Sequence, residues 1–240
     1  MRKLGLSLVV ATSIAFAGGI VEEEPKVVYT PPPVEKSDIE ISANMTLASK
    51  YIWRGQDQNN KGIAIQGGID LSYKGFYIGT WASNVDFDTA TKTSSIEIDI
   101  YGGYKGEVAG IGFDIGAIAY FFPNTYVDMD NTMTEIYLGV SKEIGNFSVG
   151  ATYSYAMMSA NPAIDETYNL QFDASVKTVG DITLAGSYGM IDGADDYYYA
   201  ISASKTVGKF DLALTYTGVE WDNPLATDED HIVASISTSF

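Results

Sequence analysis

The chain ends in the sequence His231-Ile232-Val233-Ala234-Ser235-Ile236-Ser237-Thr238-Ser239-Phe240, and this stretch decides the fold. Apolar residues stand at positions 232, 234 and 236, serines stand at 235, 237 and 239, and an aromatic residue comes last. Because successive side chains of a β-strand point to opposite faces, the stretch predicts a strand with one apolar and one hydroxyl-rich face. We expect Ile232, Ala234, Ile236 and Phe240 to meet an apolar medium and the serines to face a polar interior.

The same period of two residues runs through the chain from Asp38 onward. The first segment carries on its apolar face Ile39, Ile41, Ala43, Met45, Leu47 and Tyr51. Eleven more alternating segments follow, at residues 63–73, 76–84, 95–104, 111–121, 134–142, 147–157, 167–177, 182–190, 197–205, 210–218 and 231–240. The chain is therefore predicted to be all-β with about twelve strands.

The connections between these segments alternate between two kinds. Five are short, at residues 74–75, 106–110, 143–146, 178–181 and 206–209, and six are long, at about 55–62, 85–94, 122–133, 158–166, 191–196 and 219–230. Strands of about nine to eleven residues fit a tilted crossing of an apolar slab of about 25 Å. The pattern is typical of a closed antiparallel transmembrane β-barrel with short periplasmic turns, longer outer loops and both termini on the periplasmic side.

Two segments of different composition precede the predicted barrel. Met1-Arg2-Lys3, a short apolar run and Ala15-Phe16-Ala17 have the composition of a cleavable secretory signal, so residues 1–17 are assigned to a signal peptide. Residues 18–37 are rich in proline and glutamate and predict a periplasmic tether with no fold of its own. Residues 38–240 form the predicted barrel.

The chain is strongly acidic, with a formal net charge of −17, and it contains no cysteine. This charge argues against a nucleic-acid partner, and without cysteine no disulfide or thiolate metal site can form. Most carboxylates of the predicted barrel fall in its outer loops, but their spacing matches no calcium loop. We expect neither a cofactor nor a metal site.

Four blocks near the start of the predicted barrel resemble the TorF-type putative porins of Gram-negative bacteria. They are Ser49-Lys50-Tyr51-Ile52-Trp53-Arg54-Gly55, Ala64-Ile65-Gln66-Gly67-Gly68-Ile69-Asp70, the segment 75–85, and Glu97-Ile98-Asp99-Ile100-Tyr101-Gly102-Gly103-Tyr104. The resemblance implies an outer-membrane porin barrel and assigns no substrate. It also implies that Phe240 is the mark by which the barrel-assembly machinery accepts the chain.

The alternating pattern assigns a set of mostly polar side chains to the interior of the barrel. The predicted pore-lining residues are Glu40, Asn44, Lys50, Arg54, Gln66, Asp70, Glu97, Asp99, Tyr101, Asp114, Glu135, Asp173 and Asp211. An acidic wall raises the local concentration of cations and disfavours anions, which predicts a passive channel for small hydrophilic solutes or ions with a preference for cations. The orientation of segment 76–84 stays open, because Phe76, Ile78 and Ala82 compete with Tyr77 and Trp81 for the apolar face.

Arg54 is the one arginine that follows the predicted signal peptide, and it lies at the outer end of the first strand. It could pair with Asp70 or Glu97 across neighbouring strands and shape a constriction. Alternatively, it could anchor the barrel at the membrane interface. Tyr51 and Trp53, next to it, are predicted to belong to an interfacial aromatic girdle.

The sequence is also compatible with other functions. The interior could be plugged by hydrogen-bonded side chains, which would leave a non-conducting structural or adhesive barrel with acidic loops that bind cations. A barrel enzyme acting on lipids would need a base, and the one candidate is His231, which has no G-x-S-x-G motif to accompany it. We expect a non-enzyme whose partners are outer-membrane lipids, the assembly machinery, and small solutes or ions. The chain could also form a homo-oligomer.

Overall fold

The structure is a computed structural model that describes residues 39–86, 94–123, 132–159, 166–193 and 195–240. The predicted signal peptide and tether, at residues 1–17 and 18–37, lie outside the described residues. Within the ranges that are described, no helix is long and apolar enough to cross a membrane.

Twelve strands form one closed antiparallel barrel, as the alternating pattern predicts. In chain order they are β1 (Ile39–Ala48), β4 (Ala64–Tyr73), β5 (Phe76–Asn84), β6 (Ile96–Val108), β7 (Ile111–Phe121), β8 (Thr132–Ile144), β9 (Phe147–Ser159), β10 (Tyr168–Lys177), β11 (Ile182–Ile191), β12 (Asp196–Val207), β13 (Phe210–Glu220) and β14 (Glu229–Ser239). Two short strands between β1 and β4, β2 (Ile52–Trp53) and β3 (Gln56–Asp57), pair separately as a hairpin.

Each barrel strand pairs with its neighbours in sequence, and β14 returns to pair with β1. The predicted strand centres are confirmed, and several strands extend further toward the short turns. For example, β6 continues to Val108, whereas the pattern predicted its end at Tyr104. The β6–β7 connection is consequently a two-residue turn at Ala109 and Gly110, both with positive φ. Longer strands and tighter turns leave the alternation of short and long connections unchanged.

The outer face of the barrel is apolar. Exposed side chains on this face include Ile41, Ile201 and Ile232, which are 70%, 66% and 65% exposed. The segment whose orientation was open is now settled, because Ile78 is 56% exposed on the outside and Trp81 is 2% exposed on the inside. A face of this composition buries its apolar area in hydrocarbon, where each backbone group finds its partner in the closed sheet.

The interior differs between the two ends of the barrel. On β12 and β14, the inward side chains toward the short turns are small and half-exposed, at Ser202, Ser204, Ser235 and Ser237. Toward the long loops, the inward positions on the same strands are buried, for example at Tyr198. The lumen is therefore accessible to solvent at the periplasmic end and filled at the outer end.

The first and last strands close the barrel along a short seam. β1 and β14 pair at five positions, from Asn44 with Ser239 to Ala48 with Ser235, whereas β1 and β4 pair at ten. Phe240 adds a backbone exchange with Ala43, donating at 2.9 Å and accepting at 3.2 Å. Its ring is 78% exposed and faces outward, as the terminal pattern predicted.

Candidate functional site

The outer end of the lumen is filled by residues 49–62, which we call the mouth segment. This stretch begins where β1 ends at Ala48 and contains the β2–β3 hairpin. Inside it, Gln58 donates its backbone N–H to the Tyr51 carbonyl, and Tyr51 donates its own N–H to Asn59 Oδ1 at 3.1 Å. Asn59 is 3% exposed. The mouth segment therefore satisfies part of its buried backbone groups internally, as a segment enclosed in a barrel requires.

Arg54 at the tip of the hairpin makes a bidentate ion pair with Glu135 on β8. Its two guanidinium nitrogens donate to the two carboxylate oxygens at 2.8 and 2.9 Å, and the side chains are 14% and 4% exposed. The expected partners Asp70 and Glu97 are wrong, because β1 ends before Arg54 and the mouth segment crosses the lumen to β8 on the far wall of the barrel. Burial acts to lower the pKa of Arg54, but the Glu135 carboxylate raises the pKa above its ordinary value.

The β8–β9 pairing shifts its register next to this ion pair. The shift lies between Thr134 and Glu135, where Glu135 pairs with Ala156. Irregularities of this kind bend a strand and re-aim a side chain. Tyr120 on β7 donates a further hydrogen bond to Glu135 at 3.3 Å, so the carboxylate is held by two donors of different chemistry.

Aromatic rings pack the mouth segment against the barrel wall. Tyr51 meets Trp81 edge to face with ring centroids 5.4 Å apart, and Trp53 meets Tyr120 in the same manner at 6.2 Å. The prediction that Tyr51 and Trp53 lie in an interfacial girdle, with Tyr51 on the apolar face of β1, is therefore wrong. Strand alternation stops at Ala48, and both rings turn into the lumen because the chain after it folds inward.

Gly55 lets the hairpin tip approach the wall closely. Its φ is +80°, and a Cβ at this position would lie 2.7 Å from the Cβ of Val219 and would collide with the carbonyl of Gly218. Glycine is the residue that adopts a positive φ at no steric cost and leaves room for such an approach.

A second set of contacts ties the mouth segment to β14. Lys50 Nζ donates to His231 Nδ1 at 3.1 Å, and Nε2 of the same ring lies 2.8 Å from Glu229 Oε2. Because an ammonium group only donates, Nδ1 must accept and Nε2–H must donate to Glu229. Glu229 also accepts the backbone N–H of Asp57 at 3.2 Å. His231 is 7% exposed and lies inside the lumen.

All thirteen predicted pore-lining residues belong to the mouth segment or to inward positions of the strand ladders. Lys50, Arg54, Glu97, Asp99 and Glu135 are at the filled outer end. Farther down, Tyr101 donates to Asp70 at 2.6 Å, and Tyr77 donates to Asp114 at 2.7 Å. The remaining inward positions are Glu40, Asn44, Gln66, Asp173 and Asp211.

Several residues that build this site were not predicted from the sequence. Trp81, Tyr120, Tyr198, Asn59 and Glu229 all lie inside the outer end of the barrel. The tyrosines and tryptophan carried a usable signal, since each occupies the inward parity of its strand. Asn59 and Glu229 carried none, because both stand in stretches with the composition of an ordinary loop.

The acidic residues of the lumen do not form a chelating cluster. Among the residues that the structure describes, no group of three or more histidine, aspartate or glutamate side chains is arranged to hold a metal ion. The interior is instead a wall of single carboxylates, most of which accept a hydrogen bond from a tyrosine or an amide.

A closed barrel with an apolar outer face and a polar interior defines the class, a transmembrane β-barrel of the outer-membrane type. The chain belongs to the family described as "Bacterial protein of unknown function (Gcw_chp)", whose model matches residues 34–240. No curated protein matches the chain at a significant level.

Solved structures of similar fold are outer-membrane proteins. One is a "KdgM porin", with a TM-score of 0.56 and 11% identity, covering 83% of this chain and 98% of that one. Another is outer membrane phospholipase A from Escherichia coli, with a TM-score of 0.53 and 10% identity, covering 82% and 95%. The Salmonella typhi phospholipase, solved as a dimer with bound calcium, gives 0.54 and 12%, covering 82% and 89%. At identities this low, the structural similarity shows a common fold and no more than that.

Proposed function

We propose that this protein is a porin-like channel of the Gram-negative outer membrane, through which small hydrophilic solutes or ions diffuse passively. The observation that carries the proposal is the polar lumen, which is accessible to solvent at the short-turn end and is occupied at the outer end by the mouth segment. A segment that crosses the lumen and is held by polar contacts determines the width and the charge of the path. The TorF-type resemblance of the sequence and the similarity of fold to a KdgM porin support the same function.

The constriction carries the proposed preference for cations. Glu97, Asp99 and Glu135 are each no more than 3% exposed, and one guanidinium, that of Arg54, faces them. Field lines concentrate in a narrow passage with low-dielectric walls, so an excess of negative charge there raises the local concentration of cations.

The test is conductance of the refolded full chain in a planar lipid bilayer. We expect discrete conductance steps and, in a salt gradient, a reversal potential of the sign that cation passage gives. The absence of steps from correctly folded protein would remove the channel function, and a reversal potential of opposite sign would remove the acidic-constriction mechanism alone.

The dense packing of the mouth favours a second candidate, a non-conducting structural or adhesive barrel. Tyr51 and Val219 are 2% and 0% exposed, so the outer end of the lumen is as closed as a protein core. The same bilayer experiment separates the two, because a barrel whose mouth stays filled gives no steps in the wild type and gains them when the mouth segment is released.

We also propose that the chain is not a lipid-acting enzyme. Both ring nitrogens of His231 are engaged, Nδ1 by Lys50 and Nε2 by Glu229. The imidazole is therefore not paired with a hydroxyl group that it could activate as a nucleophile. Phospholipase activity that disappears in His231→Ala would overturn this proposal. The outward ring of Phe240 fits recognition by the assembly machinery, and the apolar outer face fits contact with lipid or with further copies.

A further inference from the structure

Asp99 on β6 is a buried carboxylate with an unsatisfied oxygen. The residue is 1% exposed, and its Oδ1 has no hydrogen-bond partner. In the strand ladders it stands between Trp81 on β5 and Tyr120 on β7, both of which face the lumen. The oxygen is therefore directed into the filled outer end of the barrel, directly below the mouth segment.

The donors around Asp99 are committed to other acceptors. Tyr51 donates its hydroxyl to Glu97 at 3.2 Å, and Tyr120 donates to Glu135 at 3.3 Å. Arg54 donates from Nη1 and Nη2 to the two carboxylate oxygens of Glu135. Among the described residues, Asp99 makes no ion pair within 4.0 Å, although two further carboxylates share its environment.

A buried carboxylate without a donor or a counter-charge costs several kcal/mol, and proteins rarely keep one. Here the cost falls in the filled outer end of the lumen, where Asp99 is enclosed by Trp81 and Tyr120 of the neighbouring strands. We propose that Asp99, with Glu97 beside it, is a binding site for a small monovalent cation. This proposal deepens the proposed channel function and rests on it, since it names the group that binds the permeating ion.

The arrangement fits a weakly bound monovalent ion better than a divalent one. Calcium takes six to eight oxygen ligands, and magnesium requires a near-octahedral set, whereas the described carboxylates offer no group of three for a metal. A single free carboxylate oxygen attracts a cation without holding it. Conduction requires this balance, because an ion must enter the site readily and also leave it.

The conductance experiment compares the wild type with Asp99→Asn, which removes the charge and keeps the shape. We expect the K⁺/Cl⁻ permeability ratio in a KCl gradient to fall about threefold or more, since one charge is lost from a partly desolvated passage. Asp99→Glu keeps the charge and should keep most of the selectivity. Asp181→Asn is the matched control, because Asp181 lies in an exposed short turn with φ of 58°, which asparagine also adopts.

A second measurement detects the ion without conductance. The wild type in detergent should unfold at a higher temperature in KCl than in N-methyl-D-glucamine chloride of equal ionic strength, because an ion bound to the folded state stabilises it. Asp99→Asn should lose this difference and Asp181→Asn should retain it. The variants are compared after each has shown the heat-resistant electrophoretic mobility of the folded barrel.

The two measurements separate the site from the channel. Potassium-dependent stability that is lost in Asp99→Asn, in a protein without conductance steps, would sustain the cation site and reject the channel. Conductance whose selectivity Asp99→Asn leaves unchanged would sustain the channel and overturn the site. An infrared band of a protonated carboxyl that vanishes in Asp99→Asn at neutral pH would also overturn it, because a neutral Asp99 attracts no cation.

Discussion

Replacement of Arg54 by glutamine should release the mouth segment. The change removes the bidentate partner of Glu135 and leaves that carboxylate buried, with the Tyr120 hydroxyl as its remaining donor. Breaking a buried ion pair in this way costs about 3–5 kcal/mol. We take the lower end, because Arg54 retains 14% exposure.

A loss of about 3 kcal/mol corresponds to about two orders of magnitude in the equilibrium between inserted and displaced mouth segments. The assay uses a cysteine placed by Ala64→Cys in this chain, which has none of its own. Ala64 is 0% exposed at the inserted mouth. Modification by a water-soluble maleimide then follows the population of the displaced form, provided that closing is fast relative to modification.

We expect the modification rate to rise about a hundredfold in Arg54→Gln and to fall back toward the wild-type rate in the double variant with Glu135→Gln, which removes the stranded charge. The matched control is Lys105→Gln, since Lys105 lies 3.6 Å from Asp114 with the two side chains 45% and 26% exposed. A pair this exposed contributes little. Equal modification rates in the wild type and Arg54→Gln would show that the Arg54–Glu135 ion pair does not hold the mouth segment in the lumen.

Three further predictions concern the mouth, the lipid face and the seam. Gly55→Ala should raise single-channel conductance, because the new methyl group would meet Val219 at 2.7 Å and force the hairpin tip from the wall; unchanged conductance would mean that the tip tolerates the methyl group. Ile201→Lys, at a 66% exposed outward position, should lower the free energy of unfolding in lipid by about 2–4 kcal/mol, whereas Ser202→Lys one position away should cost far less, and equal costs would contradict the assigned faces. Deletion of Phe240 removes two seam hydrogen bonds and should speed hydrogen exchange in β1 and β14 more than in β8 and β9; uniform exchange would show that the terminal residue does not secure the seam.

The strands, their faces and the order of their connections could be predicted from the sequence because hydrocarbon imposes a strict rule on each residue. A polar group toward lipid is costly, so alternation records orientation directly. Phe76–Asn84 was the exception, because both of its faces carry aromatic or aliphatic side chains. The structure resolves it through Asp99, which pairs with Trp81 and places that ring on the inner side.

The direction of the mouth segment could not be predicted in the same way. Its composition, with Gly55, Asn59, Asn60 and Gly62, is that of any outer loop. What draws it inward are contacts distant in sequence, such as Arg54 with Glu135 at a separation of 81 residues and Lys50 with His231 at 181. A local sequence pattern cannot identify partners that are so distant in the chain.

The mouth segment starts at the seam, and this position ties two properties of the barrel together. Beyond the last ladder pair, Ser49 donates its N–H to the Ala234 carbonyl at 2.9 Å, and its side-chain Oγ accepts the Ala234 N–H at 3.0 Å. Lys50 continues the connection to His231. Ser49 and Lys50, which begin the mouth segment, thus also connect the first barrel strand, β1, to the last, β14. Displacement of Ser49 and Lys50 from the lumen would therefore also remove contacts that hold β1 to β14 at the outer end of the seam.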